Sequence, residues 1–326
     1  MNNPYKSILS DEIYDYLRLL ESAGRSLPSY RVTFKSLDAY LVKIEAKEKI
    51  LSEYHISDWL RSLNKCKPVT KNGRITHLRH FARYLSALEI PAYEPEPMKA
   101  HSDFVAYTFT DEEFTAIIAA ADNFAAVKSR TNSTSYVFPV LLRILYGCGL
   151  RIGEALKLRW ADINFKDEII FIREAKNYKQ RLVPMHSSIA HILKLYSKRQ
   201  FTDNPNADLL FESNQKHDRP YLDWTFRAWF LKILEYAAVT NHRKAPFDRA
   251  ISPHTLRHYF TYKSFLQSEA NGRNLEETAP FLATYLGHDS FQGTEKYLTT
   301  DYTLYKNSHK RMNESIGGLF PEVVFE

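Results

Sequence analysis

A histidine and an arginine lie three residues apart at the start of a well-specified helix. Ser252 and Pro253 supply an N-cap and a first helical position, and His254 and Arg257 then share one helical face. The positive end of a helix dipole favours an anion, so this pair could bind a phosphate or a carboxylate. A basic pair on an ordinary solvated surface would show the same pattern.

Two histidines on this helix also have the spacing of zinc ligands. His254 and His258 are four residues apart, as in the zinc hydrolase motif. Thr255, however, stands where that motif requires a glutamate base, and no third ligand can be assigned. We therefore expect no metal here, and a zinc hydrolase remains a distant alternative.

A second candidate anion site follows a glycine-rich helix break. A new helix is predicted to begin at Leu150, so that Arg151 lies beside the flexible backbone of Gly147-Cys148-Gly149 and can approach an anion closely. Glu154, three residues further on, can hold the guanidinium of Arg151 in place, although an ordinary capping salt bridge would look the same.

Two further reactive side chains lie near the C-terminal end of the chain. His288 is in the predicted turn Leu286-Gly287-His288-Asp289, and Tyr297 follows nine residues later. The chain holds 21 tyrosines, so a tyrosine at helical spacing is more often a packing residue than a nucleophile. Tyr297 is therefore a candidate nucleophile only in combination with the other candidate site residues.

Helices dominate the elements that must position these side chains. Four are predicted before the boundary region, around 13–20, 37–44, 56–63 and 75–85. Others are predicted at about 110–121, 136–146, 188–198 and 222–238. Three short strands interrupt them at 162–165, 168–173 and 181–184, the last two joined by a polar turn.

Proline and acidic residues between 90 and 105, with no apolar period, predict an extended linker. We therefore predict a mainly α chain with a small antiparallel β-sheet, divided into a helical N-terminal domain at 1–95, a linker at 96–107 and an α+β domain at 108–326. No apolar run reaches the ~18 residues of a membrane span, the N-terminus lacks a secretory layout, and the two distant cysteines suggest no disulfide framework. A cytoplasmic protein is expected.

The densest charge of one sign lies between Arg61 and Leu88, where there is no acidic residue. The net charge of +6 is only a mild hint of a polyanionic partner, but this cationic helix face is more specific. We call it the basic face and expect phosphate contacts from four of its members. They are Lys71, Arg74, Arg79 and Arg83.

Taken in order along the chain, these motifs resemble the tyrosine recombinase, or phage integrase, family. The ordered set is Arg151 with Glu154, Lys176 ahead of Arg181-Leu-Val-Pro184, His254-Thr-Leu-Arg257-His258, His288, and Tyr297. The resemblance covers about 108–305 and implies the family's catalytic domain. The N-terminal region is similar to the family's helical, SAM-like core-binding domain only in size, helicity and basic face.

The resemblance implies a site-specific recombinase that cuts and rejoins double-stranded DNA through a 3′-phosphotyrosyl intermediate and a Holliday junction. Tyr297 matches the nucleophile, with Tyr305 its nearest rival. Arg151 and Arg257 match the arginine pair on the attacked phosphate, and His254 matches the group that helps remove the tyrosine proton.

Lys176 matches the family's general acid for the departing 5′-oxygen. Family members often have glycines beside this lysine, whereas Ala175 and Asn177 flank it here, so Lys179 remains a rival. His288 matches the position that hydrogen-bonds the scissile phosphate. No metal or nucleotide cofactor is expected, because the phosphotyrosine conserves the bond energy.

The resemblance also implies a homotetramer on DNA. The apolar segment from Ser315 to the C-terminus matches the family's tail, which docks on a neighbouring protomer. Two alternatives share the motifs: a monomeric type IB topoisomerase, and a DNA-binding protein that has lost catalysis. The recognised DNA site, and the choice between integration, excision and resolution, are not fixed by the sequence.

Overall fold

The computed structural model describes residues 3–99, 107–128, 134–173, 180–213, 216–240 and 250–287. The chain divides into two compact units, Met1–Asp103 and Phe104–Glu326. This division falls within the predicted linker at 96–107, and the domain bounds themselves stay a prediction.

Four helices form the first unit: α1 (Ser10–Ser22), α2 (Pro28–Lys43), α3 (Glu53–Ser62) and α4 (Pro68–Ala87). A proline occupies the first turn of α2 and of α4, where its missing N–H has no intrahelical acceptor to lose. The core is aromatic, with Phe34, Trp59 and Phe81 fully buried. The helices that the sequence predicts in this unit are confirmed.

The segment that follows α4 is not helical. Leu51 N–H donates to the Pro91 carbonyl at 2.9 Å, and Tyr93 N–H donates back to the Leu51 carbonyl at 2.8 Å. These hydrogen bonds fasten the beginning of the proline-rich segment to the first unit.

Seven α-helices lie in the described part of the second unit, and none of the described helices in either unit is long and apolar enough to span a bilayer. They are α5 (Asp111–Lys128), α6 (Thr134–Gly147), α7 (Ile152–Leu156), α8 (Ser187–Asp203), α9 (Asp223–Tyr236), α10 (Pro253–Ala270) and α11 (Leu275–Leu286). The strongly apolar α6 packs against α5, α8 and α10, which places it in the core.

A three-stranded antiparallel sheet interrupts these helices, in the order β1 (Ile163–Asn164), β2 (Ile169–Ile172) and β3 (Arg181–Pro184). Ile170 pairs with Val183, and both side chains are buried against the helices. Mainly helical secondary structure with a small antiparallel sheet is therefore confirmed.

A second, two-stranded sheet joins β4 (Glu212–Ser213) to β5 (Lys216–Pro220). This sheet was not predicted from the sequence. The β5 sequence Lys-His-Asp-Arg-Pro is polar throughout, so it lacks the alternation of apolar and polar residues by which a half-buried strand is recognised.

Candidate active site

Arg151 is the N-cap of α7, which begins at Ile152 and not at the predicted Leu150. The helix starts later because Gly149 takes a left-handed φ of +58°, which interrupts the helical backbone. Glycine is required there, because a Cβ would overlap the Phe260 ring. Arg151 N–H then donates to Glu154 Oε2 at 3.0 Å. Its guanidinium donates from Nη1 to Glu154 Oε1 at 2.8 Å and from Nη2 to the Gly287 carbonyl at 3.2 Å.

Arg257 lies in the first turns of α10, which begins with Ser252 as N-cap, as the sequence predicts. Only 1% of the residue is exposed. Its Nη1 donates to the Gly149 carbonyl and its Nη2 donates to the Leu286 carbonyl, both at 2.7 Å. Arg257 therefore ties the loop before Arg151 to the end of α11.

Three arginines converge on the C-terminal carbonyls of α11. Arg181 Nε donates to the Tyr285 carbonyl at 2.9 Å, Arg257 binds the next carbonyl and Arg151 binds the one after it. The last carbonyls of a helix have no intrahelical donors and carry the negative end of its dipole. They thus hold together the two arginines that the sequence predicts as a phosphate-binding pair.

Glu154 lies between two of these arginines, and 4% of its side chain is exposed. Arg181 Nη1 and Nη2 donate to its two oxygens at 3.1 and 2.8 Å. Burial alone would raise the pKa of this carboxyl, but hydrogen bonds and charge from Arg181, followed by hydrogen bonds from Arg151, lower the pKa to about 2. Glu154 is therefore an anion at neutral pH, faced by two cations.

The sequence pattern identifies Arg181 only as a strand residue. In a strand, residues i and i+2 face the same side, so Arg181 lies on the side of the buried Val183. A guanidinium on the buried side of a sheet requires a partner. This requirement was the sequence signal by which Arg181 could have been recognised as a member of the site.

His254 is exposed in the first turn of α10, one turn before Arg257. Its ring meets that of His258 edge to face, with 4.8 Å between ring centroids. Within the described ranges, no group of three or more His, Cys, Asp or Glu side chains is arranged to hold a metal ion.

Several predicted site residues lie outside the described residues: Lys176 with its rival Lys179, His288, Tyr297 with its rival Tyr305, and the tail after Ser315. The described residues beside them are nonetheless fixed. Ile172 pairs with Arg181 on either side of the Lys176 segment, and Gly287, which directly precedes His288, caps α11.

The basic face lies on α4 and carries a carboxylate that its local sequence lacks. Glu94, from the proline-rich segment, accepts from Arg79 Nη2 at 2.8 Å and from Arg83 Nη2 at 2.6 Å. Hydrogen bonds from Arg83 and then Arg79 lower the pKa of Glu94 to about 2.

The other two members of the basic face lie elsewhere on α4. The Arg74 guanidinium lies 5.9 Å from the centre of the Trp59 rings. The remaining member of the set, Lys71, is half-buried.

Residues 108–303 match the model of the phage integrase family. The chain belongs to that family. It is 26% identical over 320 residues to the putative integrase/recombinase y4rB of Sinorhizobium fredii, covering 94% of this chain and 97% of that one. It is 32% identical over 180 residues to the tyrosine recombinase XerC of Oceanobacillus iheyensis, covering 53% of each.

Among solved structures, the Tn1549 transposon integrase in complex with transposon right end DNA has a TM-score of 0.63 to this chain. The match covers 94% of this chain and 99% of that one at 14% sequence identity, so it shows a shared fold. The match of residues 108–303 to the family model confirms the predicted family. In this member of the phage integrase family, the arginine pair lies where α7, α10 and α11 meet.

Proposed function

We propose that this protein is a site-specific recombinase that cuts and rejoins duplex DNA through a covalent bond to Tyr297, exchanging strands through a Holliday junction. The observation that carries the proposal is the convergence of Arg151 and Arg257 on the end of α11, directly before His288. Membership of the phage integrase family supports it.

In the proposed reaction, the Tyr297 oxygen attacks phosphorus, and the bond from phosphorus to the 5′-oxygen breaks. The product is a 3′-phosphotyrosyl bond and a free 5′-hydroxyl. Negative charge grows on the non-bridging oxygens of the phosphate, which Arg151, Arg257 and His288 stabilise with directed N–H groups.

Two proton transfers complete the step. A tyrosine with an ordinary pKa of ~10 is a weak nucleophile at neutral pH until a neighbour removes its proton, which is the role we assign to His254. Lys176 protonates the departing 5′-oxygen. A 5′-hydroxyl of the partner duplex then attacks the phosphotyrosine, the bond from phosphorus to the Tyr297 oxygen breaks, and the tyrosine leaves and regains its proton. This joins the exchanged strand, with no nucleotide consumed.

The basic face contributes DNA affinity in this proposal, through phosphate contacts of Lys71, Arg74, Arg79 and Arg83. Exchange between two duplexes requires four protomers, which we propose are linked by the apolar tail docking on a neighbour. Deleting the residues after Ser315 should then reduce synapsis of two duplexes more than it reduces binding to one. Intact synapsis in this variant would refute docking between protomers.

Strand exchange is the test of the whole proposal. Two duplexes of different lengths, taken from the DNA that flanks this gene and labelled on different strands, are incubated with the protein in EDTA. Recombinant-length products and a four-way junction are expected. Cleavage and resealing without exchange would instead indicate the topoisomerase alternative, and tight binding without cleavage would indicate a protein that only binds DNA.

A further inference from the structure

Arg181 is a buried cation that the proposed reaction does not use. It begins β3, and 10% of its side chain is exposed. Nε, Nη1 and Nη2 donate to the Tyr285 carbonyl and to both oxygens of Glu154. Each of its three nitrogens already donates to another group of the protein, and the proposed reaction assigns Arg181 no contact with the phosphate, so another role must explain a guanidinium at this position.

The charges around Glu154 suggest that role. One carboxylate faces two guanidinium groups, and Arg181 makes two contacts with it where the Arg151 guanidinium makes one. If Arg181 were absent, the single negative charge of Glu154 would be balanced by Arg151 alone. With Arg181 present, the three side chains together keep one net positive charge, and Arg151 is the more exposed of the two arginines, at 27% against 10% of the side chain.

Arg181 also packs against the backbone that precedes His288. Gly287 has a left-handed φ of +66°, and a Cβ added there would lie 3.0 Å from Arg181 Nη1. The Arg181 side chain thus fills the space beside Gly287 and binds the Tyr285 carbonyl two residues earlier. One side chain therefore joins β3, Glu154 and the end of α11.

We propose that Arg181 is a positioning residue for DNA cleavage, which balances Glu154 so that the positive charge of Arg151 remains available to the scissile phosphate. The inference rests on the proposed function. It concerns a residue that does not touch the DNA and acts through Arg151 and the end of α11.

The test compares a charged and a neutral scissile linkage. Cleavage rates are measured on a nicked duplex, whose short 5′-hydroxyl fragment dissociates after cleavage, and on the same duplex with a methylphosphonate at the scissile position. Arg181→Met should slow cleavage of the phosphate duplex about ten-fold or more, since a directed charge interaction at a reacting group is typically worth that much. The loss should shrink to less than about three-fold on the methylphosphonate, which needs less positive charge.

A second variant keeps the test decisive if Arg181→Met is poorly folded. Adding Glu154→Gln to Arg181→Met removes the unbalanced carboxylate and should recover part of the lost rate. Arg173→Met is a matched control, because Arg173 directly follows the neighbouring strand β2 and binds the buried Asp162 in place of Glu154. This control should lower cleavage of both duplexes equally, if at all.

An equal loss on the two linkages, with no recovery on adding Glu154→Gln, would overturn the inference and leave Arg181 as a purely structural residue. The wild-type protein reports separately on the proposed function. If it forms no covalent adduct with the phosphate duplex, that proposal fails and this inference with it. If wild type forms the adduct, but Arg181→Met leaves the ratio of the cleavage rates on the phosphate and methylphosphonate duplexes unchanged, only the role of Arg181 is overturned.

Discussion

Replacing Glu154 with glutamine should change how the stability of the second unit depends on pH. The carboxyl has an ordinary pKa of 4.5, and the two arginines lower the pKa to about 2 in the folded protein. A group whose pKa is lower in the folded state stabilises that state fully above its unfolded pKa. The contribution is lost as the pH falls through the folded pKa.

The magnitude follows from these two values. At pH 7 the carboxyl contributes about 3.4 kcal/mol relative to its protonated form, from about 1.36 kcal/mol for each pH unit between the two pKa values. At pH 3 the same relation leaves about 1.4 kcal/mol. Wild type should therefore lose about 2 kcal/mol between pH 7 and pH 3 that Glu154→Gln does not lose.

The assay is urea unfolding followed by tryptophan fluorescence. Trp59 lies in the first unit, while Trp160, Trp224 and Trp229 lie in the second, so a Trp59→Phe background restricts the signal to the unit that holds Glu154. Unfolding free energies at pH 7, 5 and 3 are compared for the two proteins in this background.

Glu235→Gln is the matched control, because Glu235 is an exposed carboxylate on α9 of the same unit. It should leave the difference between pH 7 and pH 3 close to that of wild type. If Glu154→Gln shows the same pH dependence as wild type, the carboxyl is not held ionised by the arginines, and our account of the site's charge fails.

Three further predictions concern the arginines and the turn that presents them. Gly149→Ala should destabilise the second unit by at least about 1 kcal/mol, because the left-handed φ disfavours a Cβ and the added atom meets a ring; an unchanged melting temperature would contradict this. Arg257→Lys should slow cleavage about 100-fold or more while duplex affinity changes little, because one ammonium cannot reproduce the two diverging N–H donors that bind the Gly149 and Leu286 carbonyls. A wild-type cleavage rate in this variant would show that cleavage does not depend on these two contacts. Arg79→Ala with Arg83→Ala should weaken DNA binding and flatten its salt dependence, and an unchanged salt slope would remove these arginines from the DNA interface. Glu94→Gln should instead strengthen DNA binding, because it releases both guanidinium groups.

The apolar periods of the sequence predict the three-stranded sheet and the described helices other than α11, whose span Leu275–Leu286 was not predicted. The N-cap of α10 is equally clear, since Ser252 and Pro253 occupy the two positions where serine and proline are favoured. The structure starts α7 two residues after the predicted start, because the left-handed Gly149 separates α7 from the preceding helix. An apolar period does not reveal a left-handed glycine.

The contacts across the site could not be predicted in the same way. Arg181 and Glu154 are 27 residues apart in sequence, and their pairing depends on how β3 packs beside α7. Glu94 likewise lies 11 residues beyond Arg83, in a segment with no regular period, and only the fold brings it back to α4. Spacing identifies side chains that can do chemistry, whereas the partners that set their charge come from tertiary structure.

The most direct test of the central claim is the covalent step. Wild type and Tyr297→Phe are incubated in EDTA with duplexes that carry a bridging phosphorothiolate at the scissile position, which blocks resealing, and DNA-linked protein is measured after SDS. We expect an adduct with wild type only, with the DNA-linked peptide containing Tyr297. An adduct that persists in Tyr297→Phe would contradict the account and make Tyr305 the first residue to examine.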